Sequence, residues 1–323
     1  MYQNTSKEIF KMSIPMFFEL LLQLLVGNID QIMVSHYSQG SVAAIGNGNQ
    51  IMNIIILVLS SMTVATTVLI SRYFGAGDPE KAKSVSNASI YSLSFFSIVV
   101  TLLIYGFQRP LFQWLQVPND ILDETCSYTV IVSTCILIQA IYMVFASILR
   151  SHKLMKYVTF VAIIMNTLNI LGNAILINGL FGFPRLGIIG AAISTNISKF
   201  IGLVIIILVF LKKTNMGLGF LNLKYFSFNM AKKVLLIAVP SGGEAFSYQM
   251  SQLIILRFVN TFGTMVIASR SYCMILANIA YVYSMAISQA TQILVGYLYG
   301  KGDYESIKKR VWNSVFISMA VSV

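Results

Sequence analysis

Pro15-Met-Phe-Phe-Glu19 opens one long apolar run, and Pro240-Ser-Gly-Gly-Glu244 opens another 225 residues later. The run after each ends on the same turn, Gly75-Ala-Gly-Asp78 in the first case and Gly300-Lys-Gly-Asp303 in the second. Sliding the chain by 225 residues without a gap also puts Asn53 on Asn278 and Ala65-Thr66 on Ala290-Thr291. Glu80, Lys83 and Ser89 then meet Glu305, Lys308 and Ser314. A duplicated apolar half with an acid inside each copy is the pattern of a repeat-built membrane transporter.

Composition agrees with that reading. Hydrophobic residues make up 57% of the chain and charged ones 10%, against about 25% charged in a soluble domain. Mean hydropathy is +0.77. Runs of about 20 apolar residues recur, each long enough to cross the ~30 Å hydrocarbon core of a bilayer. The spans read as 12–37, 46–73, 87–107, 124–149, 157–178, 187–211, 234–260 and 267–298, with a ninth starting near 311. No cleaved signal peptide is read at the start.

A net charge of +11 raises nucleic acid as a partner, but the placement of the charges argues against it. With the N-terminus inside, the cytoplasmic segments hold Lys7, Lys11, Arg72, Lys81, Lys83, Arg150, Lys153, Lys156, Lys212, Lys213, Lys224, Lys232, Lys233, Lys301, Lys308, Lys309 and Arg310. That is seventeen of the 22 basic residues. The excess is the positive-inside rule, and it implies a multi-pass protein of the plasma membrane with a cytoplasmic N-terminus. The expected partner is the lipid bilayer, with no nucleic acid.

The expected fold is therefore all-α and polytopic, in two lobes related as parallel repeats, because an even number of spans per repeat keeps both copies in one orientation. Residues 1–211 form the first lobe of six spans. Residues 212–233 form a cytoplasmic linker, and 234–323 form part of the second lobe: the seventh and eighth spans and the start of a ninth. A second repeat as long as the first would need roughly three more spans, so missing C-terminal helices are expected to complete that lobe.

Three acids fall inside apolar runs: Glu19, Asp30 and Glu244. A carboxylate at mid-bilayer costs about 2.5–3.5 kcal/mol on insertion scales, so such groups usually face a cavity. Eleven residues are about three helical turns, which places Glu19 and Asp30 on one face roughly 16 Å apart, with Gln23 and Gly27 between them. Asn166, Asn169 and Asn173 share a face of span five. Their amides either ligate Na⁺ and orient a carboxylate, or simply join helices. Asn49 and Asn53 share a face of span two. In span eight Asn278, Tyr281, Met285, Ser288 and Gln292 form a stripe suited to large flat cations. Glu244 is either an ion ligand or a structural group at the inner gate.

Lys199 stands alone in span six and is expected to pair with an acid or amide. Cys126, Cys135 and Cys273 read as small buried apolar residues, and His36 and His152 as interface residues near helix ends. Asp78 and Asp303 are expected to cap the helices that follow them. No metal cluster or nucleophile–base pair is found, so no enzyme is expected.

Several of these segments resemble the multidrug and toxic compound extrusion (MATE) transporters. The resemblance rests on Pro15 followed by Val26-Gly-Asn-Ile-Asp30-Gln-Ile-Met33, on the paired loops Gly75-Ala-Gly-Asp-Pro79 and Gly300-Lys-Gly-Asp303, and on the Asn166, Asn169, Asn173 series. Phe181-Gly-Phe-Pro-Arg-Leu-Gly187 and Gly190-Ala-Ala192 complete it. The ordered set covers essentially the whole chain. It implies twelve spans in two six-helix lobes and a cation-coupled antiporter that exports small organic cations. H⁺ or Na⁺ would be the coupling ion, with no other cofactor, and Asp30 the coupling carboxylate and a potential Na⁺ ligand. Asn169, Asn173, Glu19 and Glu244 would assist it. Gln23, Asn49, Asn53, Asn166, Asn278, Tyr281, Met285 and Gln292 would line the substrate cleft. Where some relatives carry a second aspartate this chain has Asn173, and where some carry the second-lobe acid it has Tyr248. The rival reading is a lipid-intermediate flippase, which needs a cationic cleft; the deep charges here read as mainly acidic.

Overall fold

The computed structural model describes residues 5–35, 39–214, 216–260 and 264–322. Side chains at some positions of the first, eighth and ninth helices, including Asp30, Arg257 and Asn278, lie outside the description, as does His36. Ten α-helices follow in order: α1 Thr5–Ser35, α2 Gln39–Gly75, α3 Pro79–Trp114, α4 Asn119–Ser133, α5 Ile136–Ser151, α6 Met155–Asn178, α7 Gly187–Lys213, α8 Phe228–Asn260, α9 Thr264–Lys301 and α10 Tyr304–Ser322. Among the described residues there is no strand. Helices α1, α2, α3, α6 and α7 are each long and apolar enough to cross a membrane.

The fourth expected span is two helices, α4 and α5, meeting at 42°. Side chains capture the carbonyls that would have continued the helix. The Ile131 carbonyl accepts from Thr134 Oγ1 at 2.7 Å and from Asn196 Nδ2 at 2.6 Å. The Ser133 carbonyl accepts from Thr101 Oγ1 at 3.1 Å. Hydroxyl and amide groups inserted into a helical ladder bend it, and here the donors come from α3, α4 and α7.

The repeat is visible atom by atom. Thr66 Oγ1 in α2 donates to Ser89 Oγ in α3 at 2.8 Å, and their counterparts 225 residues on, Thr291 and Ser314, join α9 to α10 at 2.7 Å. Gly77 and Gly302 both take positive φ, +71° and +76°, in the turns between those pairs. Asp78 Oδ1 then caps the Lys81 N–H at 3.0 Å, and Asp303 Oδ1 caps the Ser306 N–H at 3.1 Å. The Lys81 ammonium and N–H together hold the Asp78 carboxyl below the usual carboxylate range.

The two copies meet where α2 crosses α9. A Cβ added to Gly75 would lie 2.8 Å from the Tyr297 carbonyl carbon, and one added to Gly300 would lie 2.9 Å from that of Arg72. Residues 72 and 75 are the repeat counterparts of 297 and 300, so one contact is made twice across an approximate two-fold axis. Gly296 faces Ser71, its own counterpart, and a Cβ there would sit 2.9 Å from the Ser71 Cβ. Only glycine permits this approach of two backbones.

The linker is shorter than the polar stretch suggested, because α7 runs on through Lys213 and α8 begins at Phe228. Phe220 inserts its ring against Phe145 and Phe210 with edge contacts and is 3% exposed. Asn87 Nδ2 of α3 donates to the carbonyls of Phe220 at 2.6 Å and Asn222 at 3.1 Å. Tyr91 Oη donates to the Leu221 carbonyl at 2.6 Å. Apolar burial and three hydrogen bonds thus fix the linker to the bundle.

Candidate functional site

Helices α1, α2, α5, α6, α7 and α9 enclose a cavity of about 360 Å³. Its wall is unusually polar for a bundle of apolar helices. Glu19 and Gln23 enter from α1, Thr63 and Thr67 from α2, Gln139, Tyr142 and Arg150 from α5. Asn166 and Asn169 enter from α6, Thr195, Ser198 and Lys199 from α7, Gln289 and Gln292 from α9.

One ion pair dominates the wall. Arg150 Nη2 donates to Glu19 Oε1 at 2.5 Å, with both side chains less than a fifth exposed. This revises two expectations. Arg150 does not belong with the solvated cytoplasmic charges, and Glu19 does not offer a free negative charge. In a low-dielectric setting such a pair compensates the desolvation of both ions only while both partners remain.

Local structure aims these groups. Pro15 lacks an N–H inside α1, and its own carbonyl accepts from Thr159 Oγ1 of α6 at 2.8 Å, tying the turn before Glu19 to that helix. Ser147 and Ser151 of α5 donate to the Thr63 and Thr67 carbonyls of α2 at 3.3 and 3.2 Å. These fix the α5 face from which Arg150 projects. On α6, Asn169 Nδ2 donates to Thr195 Oγ1 at 3.1 Å, and its carbonyl accepts from Ser194 Oγ at 2.9 Å. The helix-joining role and the cavity-lining role of Asn169 are therefore both filled.

Of the expected site residues, Glu19, Gln23, Asn166, Asn169 and Gln292 come together in this cavity. The others do not. Asn49 Oδ1 accepts from Tyr128 Oη at 3.0 Å and joins α2 to α4. Asn53 lines a separate, largely apolar groove of about 1130 Å³ between α2, α3 and α8. Asn173 is fully buried on α6, outside the cavity lining. Glu244 is exposed on α8, Tyr281 is exposed on α9, and Met285 of α9 lines neither space. The side chains of Asp30 and Asn278 lie outside the described residues. Cys126 and Cys135 are buried, but Cys273 is exposed, contrary to the expectation for all three.

Sequence reasoning missed Arg150, Gln139 and Gln289 as site residues. Arg150 and Glu19 are 131 positions apart, and nothing local marks them as partners. Lys199 did carry a signal, being a base inside an apolar run. Among the described residues, no carboxylate pairs with it.

The MatE family profile matches residues 15–175 and 240–323. An uncharacterised transporter of Bacillus subtilis, YisQ, is 33% identical over 97% of this chain and 69% of its own length. A probable multidrug resistance protein NorM of Thermotoga maritima is 27% identical over 93% of this chain and 65% of its own. Among solved structures, an outward-facing multidrug resistance MATE family transporter of the MOP superfamily superposes with a TM-score of 0.89. It is 22% identical over 98% of this chain and 70% of that one. The chain thus spans about two thirds of the length of these relatives.

Proposed function

The chain belongs to the MatE family of membrane transporters, not enzymes, and from that premise we propose that the whole protein is a cation-coupled antiporter exporting small organic cations. The observation that carries the reading is the polar cavity buried among six apolar helices. Burying that many polar groups is costly unless water, an ion or a solute occupies the space. The names of the NorM relatives support export of drugs. H⁺ or Na⁺ is the proposed coupling ion and Asp30, one helical turn beyond the last cavity residue of α1, its proposed ligand. Binding of that cation would favour one arrangement of the two lobes and binding of substrate the other, and only such differential binding drives exchange. The proposed setting is the plasma membrane with the N-terminus inside, which puts the α2–α9 crossing at the cytoplasmic end.

A second reading, the lipid-intermediate flippase, draws support from Lys199. Arg150 adds little to it, because Glu19 takes up its charge. One uncompensated base is a poor match for the several charges of a pyrophosphate. Competition in vesicles separates the readings. Ethidium-like dyes should compete for export while polyprenyl pyrophosphates do not; the reverse pattern overturns the exporter assignment.

A further inference from the structure

Lys199 lines the cavity beside Thr195 and Ser198 of its own helix, across from Gln139, Asn166 and Asn169. Every one of these neighbours is neutral and able to hydrogen-bond. The single carboxylate lining the cavity, Glu19, is already held by Arg150. Among the described residues, Lys199 is therefore the one charge in this space without an opposite charge beside it. An ammonium held among helices is costly until an anion joins it. We propose that Lys199 is a binding residue for the carboxylate of substrates that carry one beside a cationic aromatic ring system, with Asn166 and Asn169 flanking that group.

The inference deepens the exporter reading and rests on it: the cavity would take amphoteric aromatic compounds in preference to cations of the same shape. Two features favour a carboxylate over a larger anion. The volume of about 360 Å³ lies at the small end of ligand cavities. A single ammonium with three donors also matches one carboxylate and its neighbouring amides better than a polyanion.

The test uses a rhodamine bearing a free benzoate and its methyl ester, which share one ring system and differ by one negative charge. Binding to the purified whole protein is read by fluorescence polarisation, and export is read in inverted vesicles. The free acid should bind about tenfold more tightly than the ester, as a charge-assisted hydrogen bond allows. Lys199→Met should bring the acid-to-ester ratio to about one, and Lys199→Arg should keep the preference. An unchanged ratio in Lys199→Met overturns the proposal. So does loss of both dyes together, which would make Lys199 part of the scaffold. Export of the ester without any Lys199-dependent preference sinks the carboxylate site alone, whereas failure to export either dye sinks the exporter reading as well.

Discussion

Alanine at Gly75 or Gly300 should open the cytoplasmic end of the bundle, and the two substitutions should do so to the same extent. Each added Cβ would stand 2.8–2.9 Å from a carbonyl carbon of the facing helix, where ordinary contact begins at 3.4 Å. The obstacle is backbone in both cases, so no side chain can swing aside and α2 and α9 must part by more than half an ångström. Overpacking of this kind costs about 1–3 kcal/mol. If the crossing exists only while the cytoplasmic side is closed, that penalty falls on one state and shifts the balance by roughly 5- to 150-fold. Ser71 is fully buried at the crossing and reports on it. With Cys126, Cys135 and Cys273 replaced by Ser, a Ser71→Cys probe in inverted vesicles should react with a membrane-impermeant maleimide faster by that factor in either alanine variant. An unchanged rate in both, or a change in only one, would refute a symmetric closing contact.

Other perturbations test other parts. Glu19→Gln should destabilise the protein by about 3–5 kcal/mol, because it strands a buried guanidinium; adding Arg150→Met should recover most of the lost thermal stability, and no recovery would deny the pair its role. Asn87→Ala leaves the Phe220 and Asn222 carbonyls without their donor, at about 1–3 kcal/mol. Proteolysis within 215–227 should quicken accordingly, and an unaltered rate would mean that Phe220 alone holds the linker. Asp30→Asn should abolish dye export at near-normal membrane abundance, since only the titratable charge is lost; full export by that variant would end its proposed coupling role.

Much of the fold was legible because the bilayer constrains it so tightly. Apolar runs give the helices, and the repeated Pro-x-x-x-Glu and Gly-x-Gly-Asp give the symmetry that Thr66–Ser89 and Thr291–Ser314 then display. The break between α4 and α5 was not legible. It depends on Thr101 and Asn196 reaching in from other helices, whereas Ser133-Thr134 alone is compatible with a straight helix. The site was half legible for the same reason. Glu19, Gln23, Asn166 and Asn169 stand out as polar residues in apolar runs, and helical spacing puts them on common faces. The counter-charge does not stand out, because Arg150 lies at a helix end where basic residues are expected. Asn49 and Asn53 share a helical face yet part company, since Tyr128 claims one of them.

The most direct measurement is dye transport by the whole protein in sealed proteoliposomes with an imposed H⁺ or Na⁺ gradient. The vesicles are loaded with the cation, so that its exit must drive dye inward. An ethidium-like dye should accumulate against its own concentration gradient under at least one of the two ion gradients and stop doing so when that gradient is collapsed. Dye entry that proceeds equally with and without either gradient, or no dye entry while a polyprenyl pyrophosphate crosses, would contradict a cation-coupled exporter.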